Sequence, residues 1–278
     1  MAQTDESFRG YEGSVVTVSV VIVNYRTAAL TEHAVRSALA EPEAIEVIVV
    51  DNASRDGSLE DLTRTFASEG RVQLVSSDEN LGFGRANNRG VERATQPYVF
   101  LLNSDATFIP GCLRILTAHW SVLPSPGVLA PAVYRGESND MQRDAQGAFP
   151  TVWRMITLAT KRHDHSIAPD WVSGCAMLLR RADYLEVGGF DDDIFMYFED
   201  VLLCWRLRQT GLLTYRCLDG GVRHIGSASS SGIRQQKGAY DAAQDVLLRK
   251  LHQPIWGQWL VKVLRLPYRL SSRALARG

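Results

Sequence analysis

Two short polar clusters and one histidine are the residues with chemistry to offer. Asn103-Ser104-Asp105 stops the apolar run Tyr98-Val99-Phe100-Leu101-Leu102, and Glu199-Asp200 separates the aromatic tract Phe195-Met196-Tyr197-Phe198 from the apolar segment Val201–Leu207. A carboxylate just past the end of a buried strand is a hard oxygen ligand, placed where a divalent cation meets a phosphorylated substrate. The competing reading is a turn in which Asn103 and Asp105 cap the helix after Pro110. Glu199 and Asp200 fall at the positive N-terminus of the helix they open, an effect worth about 0.3–1 kcal/mol. An aromatic surround can also hold such a carboxylate beside a hydroxyl, where it takes the proton as the oxygen attacks. His224, in His224-Ile225-Gly226-Ser227, is by its type alone a structural hydrogen-bonding residue or a ligand.

The elements that must position these groups alternate over the first 110 residues. Val15–Val23, Ile45–Val50, Val72–Val75 and Tyr98–Leu102 read as buried strands. Helical stretches at Ala28–Leu39, Ser58–Phe66 and Arg85–Ala94 lie between them, and Ser58 with Asp61 has the spacing of a capping box. Alternation of this kind implies parallel pairing, right-handed crossovers and helices on both faces of the sheet. Asn24, Asp51, the Asp78-Glu79-Asn80 loop and Asp105 all follow an apolar run, so such a sheet lines them along one rim. Gly82-Phe83-Gly84-Arg85-Ala86-Asn87 has Asn87 where a dinucleotide fingerprint needs its third glycine, and Asn24–Thr27 has no glycine at all. A classical nicotinamide or flavin fold is thereby disfavoured, as is a sugar nucleotidyltransferase, which wants a glycine-rich basic loop after the first strand.

Beyond Pro110 the pattern loosens. A helix is expected over Gly111–Leu123, ending before Pro124, then a strand over Val128–Val133 and a polar surface loop over Arg135–Gly147. Lys161-Arg162-His163-Asp164-His165 reads as a solvated loop rather than a metal site. Trp171–Arg181 reads as a strand entering a short helix. The Ser/Gly-rich tract Gly226–Gly238 suits a lid over bound substrate, with Arg234 and Lys237 meeting phosphate charge. After Asp245 no acidic residue appears, while Arg249, Lys250, Lys262, Arg265 and Arg269 interleave with Trp256, Trp259 and Leu260. A basic amphipathic helix over 253–278 suits either a membrane surface or packing against the rest of the chain or a second subunit as a homodimer.

Composition bounds what such a site can belong to. The 278 residues, 45% hydrophobic and 22% charged, are enough for one large domain or one plus an appendage. A net charge of −1 argues against nucleic acid as a partner. Its 4 cysteines show no CxxC spacing, Met1–Glu12 is polar, and no window is apolar enough to span a bilayer, so a cytoplasmic setting is expected.

Ser19–Tyr25, Val49–Ser58, Asn80–Asn88 and Leu101–Asp105, in that order, resemble the motifs of a family 2 glycosyltransferase, in particular its rhamnosyltransferase-like branch. The resemblance spans about residues 15–230. It implies a GT-A fold, with a disordered tail at 1–12, a catalytic domain at 13–232 (nucleotide-binding half 13–110, acceptor half 111–232) and a helical basic region at 233–278. It also implies a nucleotide-diphosphate sugar donor, a saccharide or lipid-linked saccharide acceptor, and inversion at the anomeric carbon, as in surface polysaccharide synthesis. By resemblance Asp51 meets the base, and Arg85 lies near the base or diphosphate. Asn24 and Asn80 share the donor rim, and Asn103-Ser104-Asp105 stands for the DXD motif. Asp200, with Glu199, matches the catalytic base, while Trp171, Gly174 and Asp191 match the acceptor side. Asp105 and His224 match a site for Mn²⁺ or Mg²⁺, imidazole favouring Mn²⁺. Asn103 replaces the first acid of the metal motif, and Leu203 stands where an acid is usual. Those departures leave a non-catalytic nucleotide-sugar-binding or scaffold protein as the alternative.

Overall fold

The computed structural model describes residues 16–142, 145–151, 167–226, 233–252 and Trp256, with the backbone alone at 233–237. The expected tail at 1–12, the Lys161–His165 cluster and almost all of 253–278 lie outside the described residues, so those readings are not addressed.

Strand β1 (Val18–Asn24), helix α1 (Ala28–Leu39), β2 (Ala44–Asp51), α2 (Ser58–Thr65), β3 (Val72–Ser76), α3 (Phe83–Arg93) and β4 (Tyr98–Asn103) follow the expected alternation. After them come β5 (Ala106–Phe108), α4 (Cys112–Trp120), β6 (Pro126–Arg135), β7 (Gln146–Gly147), β8 (Trp171–Val172) and β9 (Ala176–Arg180). Helix α5 (Arg181–Glu186), α6 (Glu199–Gln209), β10 (Leu213–His224) and α7 (Ile233–Lys250) complete the order. An 8-stranded sheet runs β3-β2-β1-β4-β9-β6-β10-β5. Strands β1 to β4 are parallel to their neighbours in that set, and β10 is parallel to β6, whereas β9 is antiparallel to both β4 and β6.

Why these segments are strands is visible in β1 and β4. Val18, Val20, Ile22, Phe100 and Leu102 enter one core cluster, while Val21, Val99 and Leu101 enter the other. Successive side chains point to opposite faces, so a strand covered on both needs an unbroken apolar run. Each such side chain removed from water contributes about 1.5–3 kcal/mol.

The sheet is mostly parallel, as expected, with β9 antiparallel beside β4. Two expectations are corrected. The capping box is not made: Gly57 is the N-cap of α2, and the Ser58 amide and hydroxyl both donate to Asp56 Oδ1 in a tighter local turn. The loop expected over Arg135–Gly147 contributes β7, which pairs with β8, so Trp171–Arg181 is two strands leading into α5. The tract expected as a lid, Gly226–Gly238, enters α7 at Ile233, where the helical C-terminal region was expected to begin, and its residues 227–232 lie outside the described set. The side chains of Arg234 and Lys237 are likewise not described.

Helix α7 docks onto the rest of the fold. Ala243, Val246, Leu247 and Leu251 are buried against Ile194, Val201 and Leu202 in a third apolar cluster. Among the described residues no helix is long and apolar enough to cross a membrane.

Candidate active site

The carboxyl ends of β1, β2 and β4 meet in a polar knot. Asn24 is fully buried, and its amide donates to Asp51 Oδ1 (2.7 Å) and Ser54 Oγ (3.0 Å). Its carbonyl accepts from Thr31 Oγ1 (2.8 Å) and Thr27 Oγ1 (3.1 Å). Thr27 Oγ1 in turn reaches Ser104 Oγ at 3.0 Å, which ties the first loop to the end of β4. Asn24 therefore shapes the rim and offers no free donor to a ligand. Asp51 is only 4% exposed and also accepts the Ser54 amide at 3.1 Å.

A second layer faces the cleft. Asn52 donates to Asn80 Oδ1 (3.0 Å) and accepts from the Leu81 amide (2.8 Å), and Asn80 Oδ1 also accepts the Gly82 amide (2.9 Å). Asn52, Asn80, Gly82 and Phe83 line one small cavity together with Tyr25, Met196 and the Asn103-Ser104-Asp105 turn. Tyr25, Asn52 and Met196 were not among the candidates read from the sequence. Asn52 had a signal there, as the second polar residue after an apolar run; Met196 had none. Arg85 donates Nε to the Leu81 carbonyl (2.9 Å) and lines a different cavity.

At the far lip, Asp105 Oδ1 lies 3.1 Å from His224 Nε2, and His224 Nδ1 lies 3.2 Å from Gln142 Oε1. Residues distant in sequence meet because β10 places His224 opposite Ala106 of β5. Burial alone would lower the His224 pKa, but the hydrogen bonds to Asp105 and Cys175 outweigh it and push it up to about 10. Asn103 Nδ2 is 3.4 Å from His224 Nε2, while its buried Oδ1 has no hydrogen-bond partner. A carboxylate oxygen and an imidazole nitrogen 3.1 Å apart are a donor pair of the kind a Mn²⁺ ion takes. Among the described residues, His119, Cys217 and Asp219 form another close set of potential ligands, on α4 and the middle of β10 rather than at this rim.

The second chemical centre sits beside the first. Tyr197 and Phe198 both have left-handed backbone, at φ 73° and 67°, which is costly for aromatic residues and is held only by their surroundings. Their rings pack on Tyr240 of α7, with centroids 5.9 and 4.7 Å away. This turn delivers Glu199 and Asp200 at the N-terminus of α6. Asp200 accepts from the Gly174 amide (3.0 Å) and the Val201 amide (2.8 Å). Burial nevertheless raises the Asp200 pKa. Glu199 is buried with Oε2 unpartnered; burial and then the adjacent Asp200 charge push it up to about 8. The two backbone donors favour Asp200 as the member that ionises first.

Gly174 lies in the loop between β8 and β9, and a Cβ there would stand 3.0 Å from Phe83 and 3.6 Å from Asp200. Trp171 is half-buried, with Nε1 bonded to the Ala148 carbonyl at 3.1 Å. Asp191, expected on the acceptor side, is 5% exposed and braced by Arg206 and, at 3.2 Å, by Lys250.

The sequence profile described as Glycosyl transferase family 2 matches residues 19–185. The chain belongs to that family. This glycosyltransferase is 28% identical over 288 residues to the N-acetylglucosaminyl-diphospho-decaprenol L-rhamnosyltransferase of Mycobacterium tuberculosis (strain ATCC 25618 / H37Rv), covering 93% of this chain and 92% of that one. It is 26% identical over 220 residues to the rhamnosyltransferase WbbL of Escherichia coli (strain K12), 70% of this chain and 78% of that protein. Its fold matches the mannosyltransferase PcManGT from Pyrobaculum calidifontis, solved with GDP-Man and Mn²⁺, with a TM-score of 0.61 and 19% identity over 93% of this chain and 73% of that one. The GT-A architecture expected from the resemblance is thus the fold of this family 2 member.

Proposed function

We propose that this glycosyltransferase moves a deoxyhexose, rhamnose being the leading candidate, from a nucleoside-diphosphate sugar to a hydroxyl of a lipid-linked saccharide, with inversion and with divalent-cation assistance. The reading rests on one connection. Gly174 donates its amide to Asp200, and the next residue, Cys175, accepts the amide of Asn103 at 2.9 Å, so two adjacent residues tie the base to the end of the strand that carries Asp105. The rhamnosyl and lipid-linked parts draw on the two rhamnosyltransferase relatives.

In this mechanism the acceptor hydroxyl oxygen attacks the anomeric carbon, its proton passes to Asp200, and the bond from that carbon to the diphosphate oxygen breaks. Glu199, kept neutral by burial, leaves one negative charge on the pair and so keeps Asp200 a competent base. Asp105 and His224 would hold the cation. When bound, a divalent cation neutralises charge gathering on the departing diphosphate. His224 must release its Nε2 proton to become a ligand, so cation affinity rises with pH. Asn52 and Asn80 set the width of the donor slot.

Asp200→Asn is expected to lower kcat by about 10²–10⁴-fold while donor affinity stays within twofold, measured as nucleoside-diphosphate release and by calorimetry in Mn²⁺. Asp105→Asn is expected instead to weaken cation-dependent donor binding. Full turnover in the Asp200 variant would sink the assignment, and no turnover of any sugar nucleotide by the wild type would favour a non-catalytic binding protein.

A further inference from the structure

Three arginines on α3 recur every fourth residue, at Arg85, Arg89 and Arg93, and all three line a cavity of about 590 Å³. That spacing sets side chains one above another on a single helical face. The opposite wall is Tyr184 and the Gly188-Gly189 turn. It is rigidly built: Tyr184 Oη donates to Asn88 Oδ1, the Phe190 amide donates to the same oxygen at 2.9 Å, and Asn88 Nδ2 returns to the Phe190 carbonyl at 2.9 Å.

Positive charge exceeds negative among the described residues of this cavity, three arginines against Glu92 and Asp192. Neither acid forms an ion pair with Arg85, Arg89 or Arg93. Elsewhere, arginines find acids: Arg36 with Glu32, Arg64 with Asp61, Arg71 with Glu69, Arg180 with Asp183 and Arg208 with Asp170. Arg85 commits only Nε, to the Leu81 carbonyl, and Arg89 and Arg93 commit nothing to described groups. Arginine on a solvated face near a helix C-terminus is stabilised by the dipole, which accounts for Arg93 but not for Arg85 or Arg89. Three guanidiniums not ion-paired to the two carboxylates of the same cleft, in a volume of ligand size, suit phosphate oxygens taken two at a time.

We propose that the Arg89–Arg93 cavity binds a phosphate-bearing anion at a place separate from the donor cleft. The separation is structural. The cavity shares no lining residue with the donor cleft, and Gly84 of α3 packs closely on Phe190 and Glu199, with the position of a Cβ only 2.8 Å from Phe190 Cβ and 3.7 Å from Glu199 Cβ. The argument rests on charge and shape alone and stands whether or not the proposed donor and acceptor are right. The anion is either the free diphosphate of a soluble or lipid-linked ligand, or the headgroups of an anionic membrane.

The test compares the full chain with Arg89→Gln/Arg93→Gln, and with Arg36→Gln/Arg64→Gln as an equal change in net charge. Calorimetric titration with inorganic pyrophosphate in EDTA removes cation-dependent binding in the donor cleft. Co-sedimentation with phosphatidylglycerol vesicles, against phosphatidylcholine vesicles, forms the second arm. Pyrophosphate affinity lowered about tenfold or more only in the Arg89/Arg93 variant supports a diphosphate ligand. Vesicle binding lost only in that variant, without pyrophosphate binding, supports headgroups. Binding of neither probe by the wild type, or equal loss in both variants, overturns the proposal.

Discussion

Glu199 and Asp200 are neighbours at one helix N-terminus, yet their surroundings treat them differently. Asp200 is given two backbone donors; Glu199 is given an apolar pocket and an orphaned oxygen. A carboxyl whose pKa is higher in the folded chain holds a proton there that the unfolded chain has released. Its contribution is therefore fully present below the unfolded pKa and is lost as pH rises towards the folded one. For Glu199 that window runs from its ordinary 4.5 to about 8. Wild-type stability should fall across it by at most about 1.4 kcal/mol per pH unit, and Glu199→Gln should flatten that slope, read from urea unfolding at a series of pH values. An unchanged slope would place the titration on another group.

At the scale of elements, the site is a set of latches between loops. The Phe83 amide donates to the Phe195 carbonyl at 3.0 Å, joining the N-terminus of α3 to the loop that leads into α6. Gly82 permits this with φ 80°, and a Cβ there would stand 2.2 Å from the same carbonyl oxygen. Gly57 has a similar φ of 89° but open space around it. Gly82→Ala should thus cost roughly 2–5 kcal/mol, conformational strain plus overpacking, and Gly57→Ala only about 1–2 kcal/mol. Chemical denaturation of both variants checks this, and equal losses would mean that the latch carries no weight. The Gly82 variant should also raise the donor KM, because Gly82 and Met196 line the same slot.

Across the whole molecule, α7 closes over the turn before Glu199 through Tyr240, Leu247 and the Lys250 contacts to Asp191 and Asp193. A chain ended after residue 232 should melt about 10 °C lower than the full chain or more and lose turnover, as followed by calorimetry and donor release. The sequence alone determined the alternating strands and helices to β4, because runs such as Val20–Val23 and Val99–Leu102 must be buried on both faces wherever they lie. It also determined the order of polar strand ends at Asn24, Asp51 and Asp105, and its motifs pointed to family 2. The antiparallel insertion of β9, the meeting of Asp105 with His224, the bracing of Asp191 by Arg206 and Lys250, and the docking of α7 were decided only in three dimensions. Each joins groups far apart in the chain, or turns on which of several partners a charge finds, and local periodicity carries no information about either.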